Sequence, residues 1–293
     1  MEGSLVSYLS TFFLSLFLLS YGHLAAAQNR VVYDQDNRED LFLVDSYELK
    51  MLAASTAIMV RKRSVRQTSN STFELLTEQS GVRSRLCRSE RFYSQPSVAG
   101  CTGFLIAKDL IATAGHCIQD DKCGIVSWIF DFKMLTADIA KREFTAESVY
   151  HCKKVVESVK VGDLDYAVVR LDRSVNGREP LTIRRDGLIE KDEQVFIIGH
   201  PLGLPIKISK DAYVRDVDPN KVYFTTNLDS FAGNSGSPVF NAITYEVEGI
   251  LVRGATDFEW DSENGCRKVK VCRGSECRGE DVTMGRHIVE FVQ

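Results

Sequence analysis

Leu228-Asp229-Ser230-Phe231-Ala232-Gly233-Asn234-Ser235-Gly236-Ser237-Pro238-Val239-Phe240 is the stretch from which the rest of the chain can be read. Gly233 and Gly236 admit backbone conformations closed to residues with a Cβ. That freedom lets the N–H groups of Gly233 and Ser235 turn toward one point, with Ser235 presented by the turn. Pro238 fixes the exit of the loop, and Val239-Phe240 begin a buried strand. Taken alone, G-x-S-G-x-P is also how a Gly/Ser-rich turn between two strands reads.

Two further boxes separate these readings. Thr113-Ala114-Gly115-His116-Cys117 lies upstream, and Asp165-Tyr166-Ala167-Val168-Val169-Arg170-Leu171 lies between. Together the three resemble the chymotrypsin/trypsin-like serine peptidase family, whose histidine box reads T-A-[AG]-H-C and whose aspartate box reads D-x-A-[LV]-x-x-L. The order His, Asp, Ser distinguishes that family from α/β-hydrolases and subtilisins. Ser237 also stands where the last glycine of a G-x-S-x-G elbow would be. The resemblance is closest to secreted bacterial trypsin-like and glutamyl endopeptidases.

The resemblance implies an all-β chain of two six-stranded antiparallel β-barrels, with the active site between them and a short C-terminal helix. The residue pattern agrees. From Cys101 onward, short β-branched or aromatic runs follow one another: Ile125 to Phe132, Tyr166 to Leu171, Gln194 to Gly199, Val222 to Thr226 and Gly249 to Val252. Gly, Pro, Asn and Asp punctuate them, and no βαβ alternation is visible. The tail from Val282 to Val292 is read as the short helix. The expected division is a signal peptide at 1–27, an N-terminal extension or propeptide at 28–85, a first barrel at 86–180 and a second at 181–293. An alternative counts 28–85 as part of the first barrel. Within that segment, the first half of Tyr47 to Val60 favours a few helical turns and Ile58-Met59-Val60 a strand.

The implied chemistry gives each residue a role. Ser235 is the nucleophile; a hydroxyl needs a base to take its proton at neutral pH. His116 is that base, with an ordinary pKa near ~6.5. Asp165 orients the imidazole and stabilises its cation. Gly233 and Ser235 supply the oxyanion hole. His151, His200 and His287 lack such surroundings and are read as structural. The pocket for the residue before the scissile bond is assigned to Asp229, six residues before Ser235, and to Val252, Arg253 and Gly254 on the wall strand. A carboxylate there favours Lys or Arg. Arg253 could neutralise it, which keeps glutamyl specificity open. A catalytically silent binding protein and an esterase are the other readings that share these residues.

A length of 293 residues with 44% hydrophobic content suits one globular domain or two small ones, and a net charge of −4 with no basic stripe argues against nucleic acid. Gly3 to Asn29 carry no Lys, Arg, Asp or Glu, and the apolar run ends in Ala25-Ala26-Ala27, which reads as an export signal cleaved after Ala27. An uncleaved anchor is the alternative. Either leads to a secreted or periplasmic chain with protein or peptide substrates and no stable membrane association once the signal is cleaved; oligomeric state stays open.

Export makes disulfides the expected fate of the eight cysteines. Cys101 and Cys117 flank two short strand-like runs joined at Ala107-Lys108-Asp109. Folding back there brings both to one end of a hairpin, and relatives in the family bridge the matching positions. Cys123 with Cys152 is a second pairing, and Cys87, Cys266, Cys272 and Cys277 sort among themselves. No metal and no cofactor is expected, since no CxxC pair with a second His/Cys pair is present. Asn234 departs from animal digestive relatives, which carry an Asp that pairs with a newly cut N-terminal amine. A neutral amide forms no such ion pair, so activation is expected not to depend on it.

Overall fold

A computed structural model describes residues 32–292; the expected signal at 1–27 lies outside them. Six antiparallel strands close the first barrel in the order Val126–Phe130, Val149–Val161, Leu164–Leu171, Leu110–Thr113, Gly100–Ala107 and Thr56–Arg61, the last pairing back on the first. Six more close the second: Gln194–Gly199, Pro238–Asn241, Val247–Arg253, Glu280–Met284, Tyr223–Thr226 and Lys207–Val217. Closure leaves no open sheet edge within either ring, which suits strands this short.

Apolar side chains decide which way each strand faces. Phe104, Trp128 and Phe130 are fully buried in the first barrel. They belong to one continuous core that also takes in Ile198, Phe240 and Val252 from the second. The barrels therefore share a dry seam. Residues brought to its rim are held by packing on both sides.

The segment before residue 85 is threaded through both barrels. Ser46 caps a helix at Tyr47–Ala54, its hydroxyl accepting the Leu49 N–H at 3.2 Å. Thr56–Arg61 then supplies one strand of the first barrel, while Arg38–Asp40 pairs with Lys207–Ser209 at the edge of the second. That edge carries buried charge. Lys207 reaches Asp40 at 2.5 Å and the Gln95 side-chain oxygen at 2.8 Å. The Arg38 guanidinium pairs with Asp36 and lies 4.0 Å over the Phe231 ring. Burial brings the Lys207 ammonium down to about 8, with Asp40 opposing.

The tail is where the architecture differs from the sequence reading. Residues 282 to 284 continue the barrel strand Glu280–Met284, and the chain then closes in two 3-10 turns, Gly285–His287 and Val289–Phe291, rather than in an α-helix. Val282 and Thr283 are β-branched and pair on both sides, with Leu251 and Ile250 on one neighbour and Phe224 and Tyr223 on the other. Sheet pairing on both sides claims those residues for the barrel.

All cysteines are paired: Cys87–Cys266, Cys101–Cys117, Cys123–Cys152 and Cys272–Cys277. Cys87–Cys266 spans 179 positions and Cys272–Cys277 only 5. In the loop-entropy account, the longer loop restrains the unfolded chain more. Replacing Cys87 and Cys266 together by Ser is expected to cost about 2–5 kcal/mol, and the same change at Cys272 and Cys277 clearly less. Parallel guanidinium unfolding curves check that ranking.

Candidate active site

His116 sits on a 3-10 turn, Gly115–Cys117, that leaves the Leu110–Thr113 strand. The turn is tied down on two sides. Cys117 is bridged to Cys101 on the neighbouring strand, and Ser158 donates its hydroxyl to the Ile118 carbonyl at 2.8 Å. Asp165 lies on the Leu164–Leu171 strand with its side chain 1% exposed. One carboxylate oxygen accepts the His116 backbone N–H at 3.0 Å, and the other lies 2.9 Å from His116 Nδ1. This arrangement puts the proton on Nδ1 and leaves Nε2 as the basic nitrogen. Burial pushes the Asp165 carboxyl up, but hydrogen bonds from His116 and Lys160 outweigh it and bring it down to about 2.

Ser235 is brought to the same rim by a different set of bonds. Its carbonyl accepts the Thr102 N–H at 2.8 Å and lies 3.8 Å from Cys117 Sγ, one residue from His116. The Thr102 hydroxyl donates to the Gly233 carbonyl at 2.8 Å. The loop's shape depends on two glycines. Gly233 has φ 101°, and a Cβ there would come within 2.5 Å of the His200 carbonyl. Gly236 has φ 88°, and a Cβ there would collide with the Thr102 carbonyl. Among the described residues, the Gly233 and Ser235 N–H groups have no protein acceptor, so both are available to a third party. Asn234 is buried, and its side-chain oxygen accepts the Ser237 hydroxyl at 3.5 Å, a neutral pairing within the loop.

The substrate-pocket assignment needs correction at Asp229. Its residue is 2% exposed, and its carboxylate accepts the Tyr33 N–H at 2.7 Å and the Asn37 N–H at 3.0 Å. It therefore fastens the N-terminal segment and does not floor an open pocket. No local feature of the loop signals that backbone groups 196 and 192 positions upstream reach it. Arg253 does not neutralise Asp229 either: its guanidinium binds Asp281 at 2.8 Å and Asp163 at 2.7 Å. Val252 is buried in the shared core. Gly254 does border an acid, and that acid is Glu280. A Cβ on Gly254 would collide with the Glu280 carboxyl, which also receives the Ser230 hydroxyl and, at 3.1 Å, the Ala255 N–H. Glu280 and Lys160 were both missed, since neither lies in a motif.

The other histidines among the described residues make packing and hydrogen-bond contacts away from the His116–Asp165 pair. His200 Nδ1 meets the Leu204 carbonyl at 2.9 Å and its ring stacks on Phe132; burial pushes it down to about 3. His151 Nδ1 lies 3.0 Å from the Ser127 hydroxyl, and His287 stacks on Tyr166.

The sequence profile described as a trypsin-like peptidase domain matches residues 101–250. No curated protein sequence matches the chain. Among solved structures, a Glu endopeptidase in complex with MPD is 18% identical with a TM-score of 0.52, covering 89% of this chain and 97% of its own. The Rv3671c protease from M. tuberculosis in its active form is 15% identical with a TM-score of 0.47, covering 86% and 85%. The Vibrio cholerae VesB protease is 13% identical with a TM-score of 0.49, covering 87% and 66%. At 18% identity, the likeness to the Glu endopeptidase is one of fold.

Burial pushes three neighbouring carboxyls up: Asp257 to about 6, Asp229 to about 7 and Glu280 to about 8. A carboxyl raised on folding contributes stability that is full below its ordinary value and lost as pH rises through the folded one. The buried histidines, lowered on folding, act in the opposite sense below about pH 6.5 and drop out above it. From pH 6.5 to 8, stability is therefore expected to fall by about 2 kcal/mol, chiefly through Glu280. Melting temperatures across that interval check this, and Glu280→Gln should flatten the slope.

Proposed function

We propose that this chain, which belongs to the trypsin-like peptidase family and is a serine endopeptidase, cleaves peptide bonds after Lys or Arg with Ser235 as nucleophile, His116 as base and Asp165 as its orienter. The observation that carries the reading is the Asp165–His116 pair, made through both carboxylate oxygens, at the rim where the nucleophile loop docks. Ser235 Oγ attacks the scissile carbonyl while His116 Nε2 takes its proton. The carbonyl oxygen, now an anion, is held by the Gly233 and Ser235 N–H groups. The C–N bond breaks as His116 returns the proton to the amine, leaving an acyl-enzyme. Water, deprotonated by the same imidazole, releases the acid and restores Ser235.

Specificity rests on Glu280. Its buried carboxyl abuts Gly254, just past the end of the Val247–Arg253 strand, and burial holds it protonated at neutral pH; a cationic side chain reaching it would favour loss of that proton and gain an ion partner in a poorly solvated site. A substrate carboxylate would hold the same carboxyl protonated and gain no ion partner there. The four disulfides favour an oxidising compartment, in keeping with the export signal expected at 1–27.

Two measurements test this. An organophosphonate should label the wild-type enzyme stoichiometrically at Ser235 and leave Ser235→Ala unlabelled and inactive; a folded wild type that resists labelling points to the silent binding protein instead. On peptide amides differing only before the scissile bond, Lys and Arg should lead, and Glu280→Gln should lower kcat/KM for them by roughly 10–100-fold while sparing apolar substrates. An equal loss on every substrate would remove Glu280 from the pocket.

A further inference from the structure

The Asp165 carboxylate has a third partner that the triad does not require. Lys160 Nζ lies 2.9 Å from Asp165 Oδ2, the same oxygen that lies 2.9 Å from His116 Nδ1. The contact is built into the hairpin. Val149–Val161 and Leu164–Leu171 are joined by the two-residue turn Gly162-Asp163, Gly162 having φ 56°. Their register sets Lys160 directly opposite Asp165. The lysine side chain is 41% exposed, so its head stands between the carboxylate and solvent and fills no core position.

We propose that Lys160 is a positioning residue for the catalytic base: by binding the oxygen that receives His116, it fixes the carboxylate and sets the acid edge of peptidase activity lower than the bare pair would. The proposal rests on the triad reading above. When Ser235 gives up its proton, the imidazole becomes a cation facing Asp165. With Lys160 on the same oxygen, that cation meets a carboxylate already partly neutralised, and a second positive charge at most about 6 Å away. Proton uptake by the resting imidazole is opposed in the same way, so the base stays free at lower pH.

The surrounding charges do not replace this effect. Arg253, from the adjoining second-barrel strand, is committed to Asp281 and Asp163. Asp281 is also held by Arg278. Thr283, packed against the same strand, donates its hydroxyl to the Asp165 carbonyl at 3.0 Å and carries no charge. Tyr166 faces Glu157 and Glu290 and stacks on His287. The side chains that reach the carboxylate itself are His116 and Lys160.

The test is the pH profile of kcat/KM for the full-length enzyme and Lys160→Met, Lys160→Gln and Lys160→Arg, each titrated with the phosphonate probe to count active sites. Removing the charge should move the acid limb up by about half to one pH unit in both Lys160→Met and Lys160→Gln, with KM little changed. Lys160→Arg should restore the wild-type limb. An unmoved limb in Lys160→Met, with labelling intact, overturns the role of Lys160 and leaves the triad standing. A shift in Lys160→Met that Lys160→Gln reverses also overturns it, because a neutral donor would then suffice. A wild-type enzyme that neither labels nor cleaves overturns the triad reading and this inference together.

Discussion

The site depends on Thr102 and the bonds it makes across the seam between the barrels. Its N–H holds the Ser235 carbonyl and its hydroxyl holds the Gly233 carbonyl while accepting the His200 N–H at 3.1 Å. Its own carbonyl takes the Thr113 hydroxyl at 2.6 Å. One fully buried residue thus links the strand beside Cys101, the strand leading to His116, the nucleophile loop and the turn behind that loop. Buried polar atoms so placed have no water to fall back on, which makes the docking geometry stiff. The nucleophile loop can point its N–H groups outward because its carbonyls are already engaged.

Around that joint, several ionisable side chains are buried. The N-terminal segment is fastened by Asp229, by the Arg38–Asp36 pair against Phe231, and by Lys207 with Asp40 and Gln95. Phe231 stands directly after Ser230, so the Arg38 contact with its ring and the Ser230–Glu280 hydrogen bond fall on consecutive residues. Asp257 adds a further clamp, accepting the Ala232 N–H at 2.8 Å. Buried ionic groups seldom add net stability, but removing one partner is costly. Their effect here is to give residues 228–232 one conformation.

The three boxes were legible because acyl transfer needs particular side chains beside particular turns. Thr113 to Cys117, Asp165 to Leu171 and Gly233 to Pro238 each carry their signal within a few residues. Cys101 with Cys117 was legible for a similar reason, since a hairpin of two short strands brings its ends together. Asp229 shows where such reasoning stops: its position before Ser235 suggested a pocket floor, but backbone N–H groups from Tyr33 and Asn37 reached it first. Glu280 and Lys160 carry no local signature. One is significant through Gly254 and Ser230, the other through register with Asp165.

By itself the amino-acid sequence determined the β-rich class, because strand periodicity and turn chemistry are short-range properties; the resemblance carried by its three boxes added the two-barrel expectation, the candidate triad and the Gly233 and Ser235 N–H pair. Only the tertiary structure decided which carboxyl abuts Gly254, which cation attends Asp165, how the first described residues lace the barrels together and which cysteines of the remaining four pair. Those outcomes turn on contacts between distant segments, set by barrel closure and the competition of buried donors for buried acceptors. No window of neighbouring residues contains that competition.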